Sequence, residues 1–256
     1  MDFLVFQLQA PLSSWGEPAV GEFRGSATHP TQSALIGLLG AALGLPRDAE
    51  SSHAALRDGL GFAVGLLEPG SLLRDYHTAQ VAAQSALKGW PHSTRRQELS
   101  APKLNTILST RDYRQNASWL VALQSRVSAD YSLTELQAAL REPHFPLYLG
   151  RKSCPPAAPL WPQVIDAESA LAAWAEYRRR HEAALTAAVD KKGRLPLEPW
   201  PDLVQIFFDE HVQVGLPHSL STVRKDRLIR RQGWQFGDRT EHVAFCTSTK
   251  TAAGEA

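Results

Sequence analysis

The residues with the clearest chemical potential lie in a short stretch, residues 148–154, which reads YLGRKSC and runs into a proline. A glycine beside two cations and a hydroxyl can expose backbone N–H groups and side-chain donors to a phosphate. We therefore take Arg151, Lys152 and Ser153 as candidate phosphate-binding residues. The alternative is a plain turn whose charges are solvated.

Aromatic side chains accompany cations in the preceding part of the chain. Tyr76 and His77 end a predicted strand, while Arg111 is close in sequence to Tyr113 and Trp119. Binding of single-stranded RNA requires cations along the phosphate path and planar groups that stack on splayed bases. The alternative, given equal weight, is that the aromatic residues belong to the core and the arginines are solvated. The RNA-recognition strand signature is absent, so any RNA binding differs from the usual sheet-face mode.

Charge is unevenly distributed along this chain of 256 residues, whose formal net charge is only +1. The net charge is −4 for residues 1–70, +5 for 71–152, −3 for 153–220 and +3 for 221–256. Arginine outnumbers lysine by 20 to 7, and arginine suits bidentate phosphate contacts and stacking on bases. The two basic blocks are therefore candidate RNA surfaces, and the two acidic blocks are more available to protein partners.

No sequence pattern points to a metal, a cofactor or a hydrolase. The C-x-x-C, H-E-x-x-H, Walker, dinucleotide-binding and G-x-S-x-G patterns are absent, and we interpret the D-E-H triplet at 209–211 as ordinary surface residues. A metal-free ribonuclease site could be assembled from Tyr76, His77 and Lys103. The histidine or lysine would move the proton of the 2′-hydroxyl, and a cation would stabilise the developing phosphate charge. The spacing of these residues gives this alternative no support.

Apolar patterns predict the elements that position these residues. Strands are expected at residues 3–9, 60–67, 72–81 and 117–124, and the second and third are expected to form a hairpin at Pro69-Gly70. Thr31 is the expected N-cap of a buried helix. That helix carries three glycines that would let another element approach closely, Gly37, Gly40 and Gly44.

An insertion separates the expected third and fourth strands. Residues 84–116 are polar and lack an apolar period, so we predict a projecting hairpin or long loop. A short amphipathic helix is expected at 133–141. The order of strand, helix, two strands, insertion, strand and helix predicts an α+β fold with a ferredoxin-like (RRM-like) core.

The second half of the chain begins with a proline-rich connector after Cys154. A helix is expected at 167–189, with strands at 203–208 and within 221–246. We predict a first domain at 1–152, a C-terminal α/β extension at 153–246 that packs on it, and a disordered tail at 247–256. Two distant cysteines, a poor signal peptide and no bilayer-length apolar run favour a cytoplasmic protein without a membrane partner.

Several stretches resemble the CasD-type subunits of the type I-E CRISPR surveillance complex Cascade, a family of RAMP proteins. They cover the first 160 residues in the family's order and are Leu8 to Gly16, Pro30 to Gly44, Asp75 to Thr78, Ala117 to Leu123 and Tyr148 to Pro155. The stretch from Arg231 to Arg239 resembles the family's closing Arg-aromatic-Arg segment, whereas residues 160–256 are otherwise only weakly similar.

The resemblance implies a ferredoxin-like RAMP core with an extended β-hairpin thumb, into which residues 84–116 fit. It implies a non-catalytic subunit that grips the 5′ repeat-derived handle of CRISPR RNA and caps the backbone filament. The implied neighbours are the backbone subunit and the large PAM-reading subunit, with target DNA contacted only indirectly. Cleavage of repeat RNA by a metal-independent endoribonuclease is the minor alternative, and a scaffold that binds only protein is a third.

The resemblance also implies residue roles. Arg24 and the residues from Thr31 to Ser33 would line the handle near the first helix, with Tyr76 and His77 at the base of the thumb. The complete set of expected RNA-binding residues is Arg24, Thr31, Ser33, Tyr76, His77, Lys103, Arg111, Arg151, Lys152, Ser153, Arg231 and Arg239. No catalytic residue, metal ligand or cofactor is expected.

Overall fold

The computed structural model describes residues 1–19, 21–87, 93–127, 129–190 and 200–246. The helices are α1 (Gln32–Leu43), α2 (Glu50–Gly59), α3 (Gln84–Leu87), α4 (Arg95–Leu99), α5 (Leu133–Arg141) and α6 (Ala170–Asp190). The strands are β1 (Asp2–Ser13), β2 (Trp15–Gly16), β3 (Phe23–Arg24), β4 (Ser26–Ala27), β5 (Leu60–Glu68), β6 (Ser71–Ala82), β7 (Leu104–Ser125), β8 (Gln163–Asp166), β9 (Gln205–Phe208), β10 (Leu220–Arg230) and β11 (Gln235–Phe245). The tail predicted at 247–256 lies outside the described residues.

Four antiparallel strands form the centre of the main sheet, in the spatial order β5, β7, β1 and β8. Helices α1 and α2 lie between β1 and β5 in the chain, and α5 lies between β7 and β8. β1 and β7 are central neighbours, with Phe6 opposite Val121. The expected mixture of helices with a largely antiparallel sheet is therefore confirmed, while α2 is an additional helix that the sequence patterns missed.

β5 and β6 form one bent strand along β7, so the hairpin predicted at Pro69-Gly70 is wrong. β5 pairs with residues 118–125 of β7, and β6 pairs with residues 104–115. Both run antiparallel to the same strand, which means that the chain does not reverse between them. It bends instead, with φ of 61° at Gly70 and 53° at Asn116. A Cβ at Gly70 would lie 2.2 Å from the carbonyl oxygen of Gln115, so the bend requires glycine.

The hairpin that projects from the sheet consists of β6, the first half of β7 and a tip that carries α3 and α4. We call residues 71–115 the thumb. The insertion predicted at 84–116 begins too late, because the first strand of the hairpin is Ser71–Ala82. From Arg74 to Val81 this strand alternates exposed with half-buried residues, as expected for a ribbon with few neighbours. Residues 88–92 of the predicted insertion lie outside the described part of the chain.

Two apolar layers cover the two faces of the sheet. Leu4, Phe6 and Leu8 of β1 pack in the layer that contains α1 and α5. The alternate residues of β1 pack in the other layer, against Trp174 and Tyr177 of α6, as the two-residue period of a strand requires. Helix α6 therefore covers the second face of the sheet.

The remaining strands extend the sheet beyond β5 in the order β9, β11 and β10. The strands expected at 203–208 and within 221–246 are present. The close approaches to α1 are also confirmed, because a Cβ at Gly40 would lie 2.7 Å from Cε1 of His53 and one at Gly44 would lie 2.7 Å from Cγ of His144. No helix in the described ranges combines the length and apolar character needed to cross a bilayer.

Candidate nucleic-acid interface

The base of the thumb is a three-stranded patch in which β3 and β6 flank β7. The register places Arg24 beside Arg111, and Arg111 beside Asp75. Cross-strand partners share a face, so these three side chains lie on one face of the thumb, which we call the cationic face. His77 and Tyr113 lie on the same face, since each is two residues from a member of that row.

The opposite face of the thumb base carries apolar side chains. Phe23 and Tyr76 flank β7 there and are 47% and 65% exposed. Arg74 lies over the ring of Phe23, 5.2 Å from its centroid, and donates to both carboxylate oxygens of Asp112 at 2.9 and 3.1 Å. This pairing lowers the pKa of Asp112. Tyr76 and His77, both expected to bind RNA, are therefore separated onto opposite faces.

Residues 148–154 form a tight loop that docks at the end of β1. The Leu149 N–H donates to the Cys154 carbonyl at 2.7 Å, and the Ser14 N–H donates to the Leu149 carbonyl at 3.0 Å. Gly150 has φ of 89°, and a Cβ there would lie 1.7 Å from the carbonyl oxygen of Ser14. Only glycine fits this contact, which explains why the loop carries one.

The same packing leaves the outer part of the loop open to a ligand. Lys152 and Ser153 are exposed, and their backbone N–H groups have no acceptor among the described residues. Successive free N–H groups beside cations suit a phosphate. Phosphate binding by this loop therefore stays a prediction.

Arg151 connects this loop to the cationic face of the thumb. Its guanidinium lies 4.6 Å from the centroid of the Tyr113 ring, a cation–π distance. Its Nη2 donates to the carbonyl of Arg24 at 3.3 Å, while its buried Nη1 has no acceptor in the described structure. A buried donor without a partner costs free energy.

A cleft of about 600 Å³ opens on the other side of the loop, at the N-terminus of α1. Its walls include Ser33 and Gly37 of α1, Tyr148 and Gly150 of the loop, and several residues of the β10–β11 hairpin, among them Arg231 and Trp234. Since Tyr148 and Gly150 line the cleft and Arg151 reaches the thumb, the loop joins the two surfaces.

The two predicted residues of α1 have different roles at this cleft. Thr31 is the N-cap, as predicted, and its Oγ1 accepts the Ala34 N–H at 3.2 Å. It is 2% exposed, so its hydroxyl is committed to the helix. Ser33 is half-buried on the cleft wall, with its Oγ 3.2 Å from Oγ1 of Thr31. Of the two, Ser33 is the better placed to contact a ligand.

The far wall of the cleft brings together cations and rings that sequence reasoning largely missed. Arg231 was expected, but Arg47, Trp234 and Phe236 were not, and all four line the cleft. Arg47 lies 5.0 Å from the centroid of the Trp234 ring. Arg47 is distant from the hairpin in sequence, so no local pattern could have revealed this cation–π pair. The local sequence signal for this wall of the cleft was the presence of aromatic residues shortly after Arg231 in the chain.

Arg239, which was expected to bind RNA, is instead buried in an ion-pair network. Its side chain is 10% exposed and pairs with the carboxylates of Asp209, Asp226 and Glu241 at 2.7, 2.8 and 2.6 Å. A cation surrounded by three buried carboxylates has no capacity left for a phosphate. We therefore remove Arg239 from the proposed RNA-binding set.

The structure does not assemble the ribonuclease site considered from the sequence. Lys103 lies at the tip of the thumb, where its carbonyl accepts the Ala83 N–H. His77 lies six residues before Ala83 in the chain. At about 3.4 Å per residue along a strand, this places it on the order of 20 Å from Lys103. Nδ1 of His77 lies 3.6 Å from Asp75. In the described part of the chain, no group of three or more His, Cys, Asp or Glu side chains is placed to hold a metal ion.

Comparison of the sequence with known proteins identifies a family. Residues 3–237 match the model of a family described as CRISPR-associated protein (Cas_Cas5). The CRISPR system Cascade subunit CasD of Escherichia coli (strain K12) is 35% identical over 180 residues, which cover 66% of this chain and 75% of that protein.

Two solved structures share the fold. A chain of a CRISPR RNA-guided surveillance complex matches with a TM-score of 0.60 and 22% identity, covering 95% of this chain and 89% of that one. A structure described as a Cas protein matches with a TM-score of 0.58 and 24% identity, covering 95% and 94%. At these identities the similarity establishes the fold.

Proposed function

This chain belongs to the CRISPR-associated Cas5 family, and from that premise we propose that it is a non-catalytic RNA-binding subunit of a type I-E Cascade complex. In this role it grips the 5′ repeat-derived handle of CRISPR RNA and caps one end of the backbone filament. The relative CasD is named as a Cascade subunit, which supports this assignment.

The observation that carries the proposal is the continuity of the cationic face with the loop at 148–154. Arg24, Arg111 and Arg151 lie together there, and none of them has a carboxylate partner within ion-pair distance among the described residues. Unpaired arginines beside free backbone N–H groups form a path suited to a phosphate chain.

The strand order supports a ferredoxin-like RAMP core. The sequence-first strand β1 lies between β7 and β8, and helices follow the first and third strands of the unit, which is the ferredoxin-like connectivity. The thumb interrupts this unit between its second and third strands. We place the RNA at the junction between this core and the thumb.

The apolar face of the thumb supports a protein neighbour. Phe23, Leu72 and Tyr76 are exposed on that face, and exposed apolar side chains grouped together mark interaction surfaces. We assign this face to the adjacent backbone subunit. The large PAM-reading subunit would contact the remaining surface, and target DNA would be reached only through these neighbours.

RNA-binding measurements with the purified chain test the assignment. Labelled repeat-derived RNA should bind with an affinity that falls as salt rises, because counterions are released from the phosphates. An unrelated single-stranded RNA of the same length is the control for handle recognition. Equal affinity for both RNAs would contradict handle binding, and no binding at any salt concentration would favour the protein-only scaffold.

A cleavage assay separates this proposal from an endoribonuclease. The wide separation of Lys103 from His77 supports a non-catalytic role. The protein should leave labelled repeat RNA intact during incubation in EDTA. Cleavage at one position, abolished by His77→Ala, would establish the enzymatic alternative instead.

A further inference from the structure

Trp234 and Phe236 form an unusual pair on the wall of the cleft beside α1. Trp234 has φ of 53°, a conformation that bulky residues rarely adopt, and it is 53% exposed. The strain and the exposure of this ring both cost free energy. Strained residues of this kind concentrate at binding sites.

The geometry of the two rings suits a flat ligand. Their centroids are 6.4 Å apart and their planes differ by 23°. Ring centroids about 4.5–7 Å apart are usual for aromatic pairs in offset contact, so this exposed pair offers one planar base a surface on which to stack. Aromatic side chains that hold splayed bases in this way are typical of single-strand recognition.

The cleft also offers a site for the phosphate of the same nucleotide. Arg47, Lys225 and Arg231 line it together with Ser33. Nε of Arg231 is buried and has no acceptor in the described structure. Burial and the neighbouring Arg47 lower the pKa of the Arg231 guanidinium, so a bound anion would relieve an existing electrostatic cost.

The carboxylates near the cleft are largely occupied by other groups. Asp226 accepts from Arg239 and from the Gln32 N–H, and Glu50 accepts the backbone N–H groups of Arg231 and Gln232 at 2.9 and 2.8 Å. Glu17 also lines the cleft. Nζ of Lys225 lies 3.6 Å from Asp238 at the surface. The guanidiniums of Arg47 and Arg231 therefore remain the available charges for an anion.

We propose that the cleft is a nucleotide pocket in which one unstacked RNA base stacks on the Trp234–Phe236 pair while Arg47 and Arg231 bind its phosphate. This inference rests on the proposed RNA-binding function and extends it to a single position of the handle. The RNA reaches the pocket from the thumb across the loop at 148–154. The hairpin thereby adds a second anchor, separate from the cationic face.

The test places 2-aminopurine at each successive position of labelled repeat-derived RNA and uses the full-length protein. One position should be quenched by stacking in wild-type protein and not in Trp234→Leu. The same variant should bind RNA about 5- to 150-fold more weakly, since a lost base stack costs about 1–3 kcal/mol. Its salt slope should be unchanged, whereas Arg47→Ala should reduce the slope by about 0.7.

Matched variants distinguish a nucleotide pocket from a hairpin that docks a protein. Trp234→Phe should retain most of the affinity, and Val223→Ala, an exposed residue of the same hairpin, should have no effect. If Trp234→Leu binds RNA like wild type but fails to assemble with Cascade subunits, the hairpin is a protein-docking site and the pocket is refuted. If wild-type protein binds no RNA, the proposed function is refuted and the pocket with it. Wild-type binding without any quenched position refutes the pocket alone.

Discussion

Arg239 of β11 donates to both carboxylate oxygens of Asp226 on β10, at 2.9 and 2.8 Å, in the buried layer beneath the hairpin. The same Asp226 accepts the Gln32 N–H at 3.0 Å. Asp226 therefore ties the hairpin to the first turn of α1, where Ser33 lies. This link fixes one wall of the cleft relative to the other and gives Arg239 a structural role.

The first prediction concerns the stability that this network provides. Arg239→Ala leaves the buried Asp209 without an ion-pair partner among the described residues and leaves Asp226 and Glu241 to share Arg224, so the free energy of unfolding should fall by about 3–5 kcal/mol. Arg239→Lys keeps the charge but loses the forked geometry, and its stability should fall between those of wild type and the alanine variant. Urea unfolding followed by fluorescence measures the change. Arg227→Ala is the control, because its exposed pair with Asp58 is worth about 1 kcal/mol or less.

An Arg239→Ala protein with wild-type stability and weakened RNA binding would contradict this assignment. It would mean that the guanidinium leaves the network to contact RNA. The lysine variant distinguishes these cases as well, because a phosphate contact would be largely retained by lysine.

The second prediction concerns phosphate contacts on the cationic face. Arg24→Ala and Arg111→Ala should each reduce the slope of log affinity against log salt by about 0.7, the value for one contact on single-stranded RNA. The slope is obtained by repeating the binding measurement over several salt concentrations. Arg179→Ala is the matched control, since this arginine pairs with Glu176 on α6. An unchanged slope for both variants would remove the cationic face from the RNA path.

The third prediction uses the two faces of the thumb. Tyr76 and His77 are adjacent in sequence but point to opposite faces, because successive residues of a strand alternate. His77→Ala should weaken binding to repeat-derived RNA, since His77 lies on the face of Arg111. Tyr76→Ala should leave RNA affinity unchanged and weaken assembly with the backbone subunit, measured by co-purification. Loss of RNA affinity in Tyr76→Ala alone would place the RNA on the other face.

The sequence predicted elements well where local signals agreed. Thr31 supplies a cap and the following apolar residues surround the helix, so α1 was identified with its N-terminus. α2 was missed because Ala49 provides no side-chain cap and only a few buried residues mark its inner face. The general composition of helices and antiparallel strands followed from the remaining periodic segments.

Long-range relationships could not be read from the sequence. Pro69-Gly70 has the composition of a hairpin turn, yet the same composition serves a bend when both flanking strands pair with β7. Arg239 has the composition of a nucleic-acid contact, yet its partners Asp209 and Asp226 reach it only through tertiary folding. The cleft residue Arg47 belongs to a different element from Trp234, so their contact exists only in three dimensions.

The fourth prediction tests the bend at the base of the thumb. Gly70→Ala introduces a Cβ 2.2 Å from a backbone oxygen at a positive φ of 61°, so it should destabilise the protein by about 1–3 kcal/mol or more. Hydrogen exchange should show faster opening of β6 amides than of β1 amides, because the strain acts on the β6–β7 pairing. Gly16→Ala is the control, since a Cβ there meets nothing within 4 Å. Equal exchange rates in wild type and Gly70→Ala would show that the bend tolerates a side chain.

The fifth prediction concerns pH and the buried residue His29. Its Nε2 lies 2.9 Å from Glu241 and its ring stacks on Phe207 with centroids 3.5 Å apart. Burial lowers the pKa of His29 below its usual value, despite the opposing hydrogen bond with Glu241. The unfolded chain therefore takes up a proton at His29 more readily than the folded one. The stability that the folded state gains from neutral His29 is lost as pH falls below about 6.5.

His29→Gln should flatten the decline of unfolding free energy between about pH 7 and pH 5.5, where one proton contributes at most about 1.4 kcal/mol per pH unit. Burial also lowers the pKa values of His53 and His181, so part of the slope should remain. Urea unfolding at a series of pH values measures this slope.

At lower pH the pKa of Glu241 becomes relevant. Burial would raise this pKa, but the His29 hydrogen bond and the charges of Arg224 and Arg239 hold it at about 2. The stabilisation that comes from the lowered pKa of Glu241 is present above about pH 4.5 and is lost as pH falls towards 2. The raised pKa of Asp209 has the opposite effect on the pH dependence of stability. A His29→Gln slope identical to wild type between pH 7 and 5.5 would show that His29 does not titrate differently on folding.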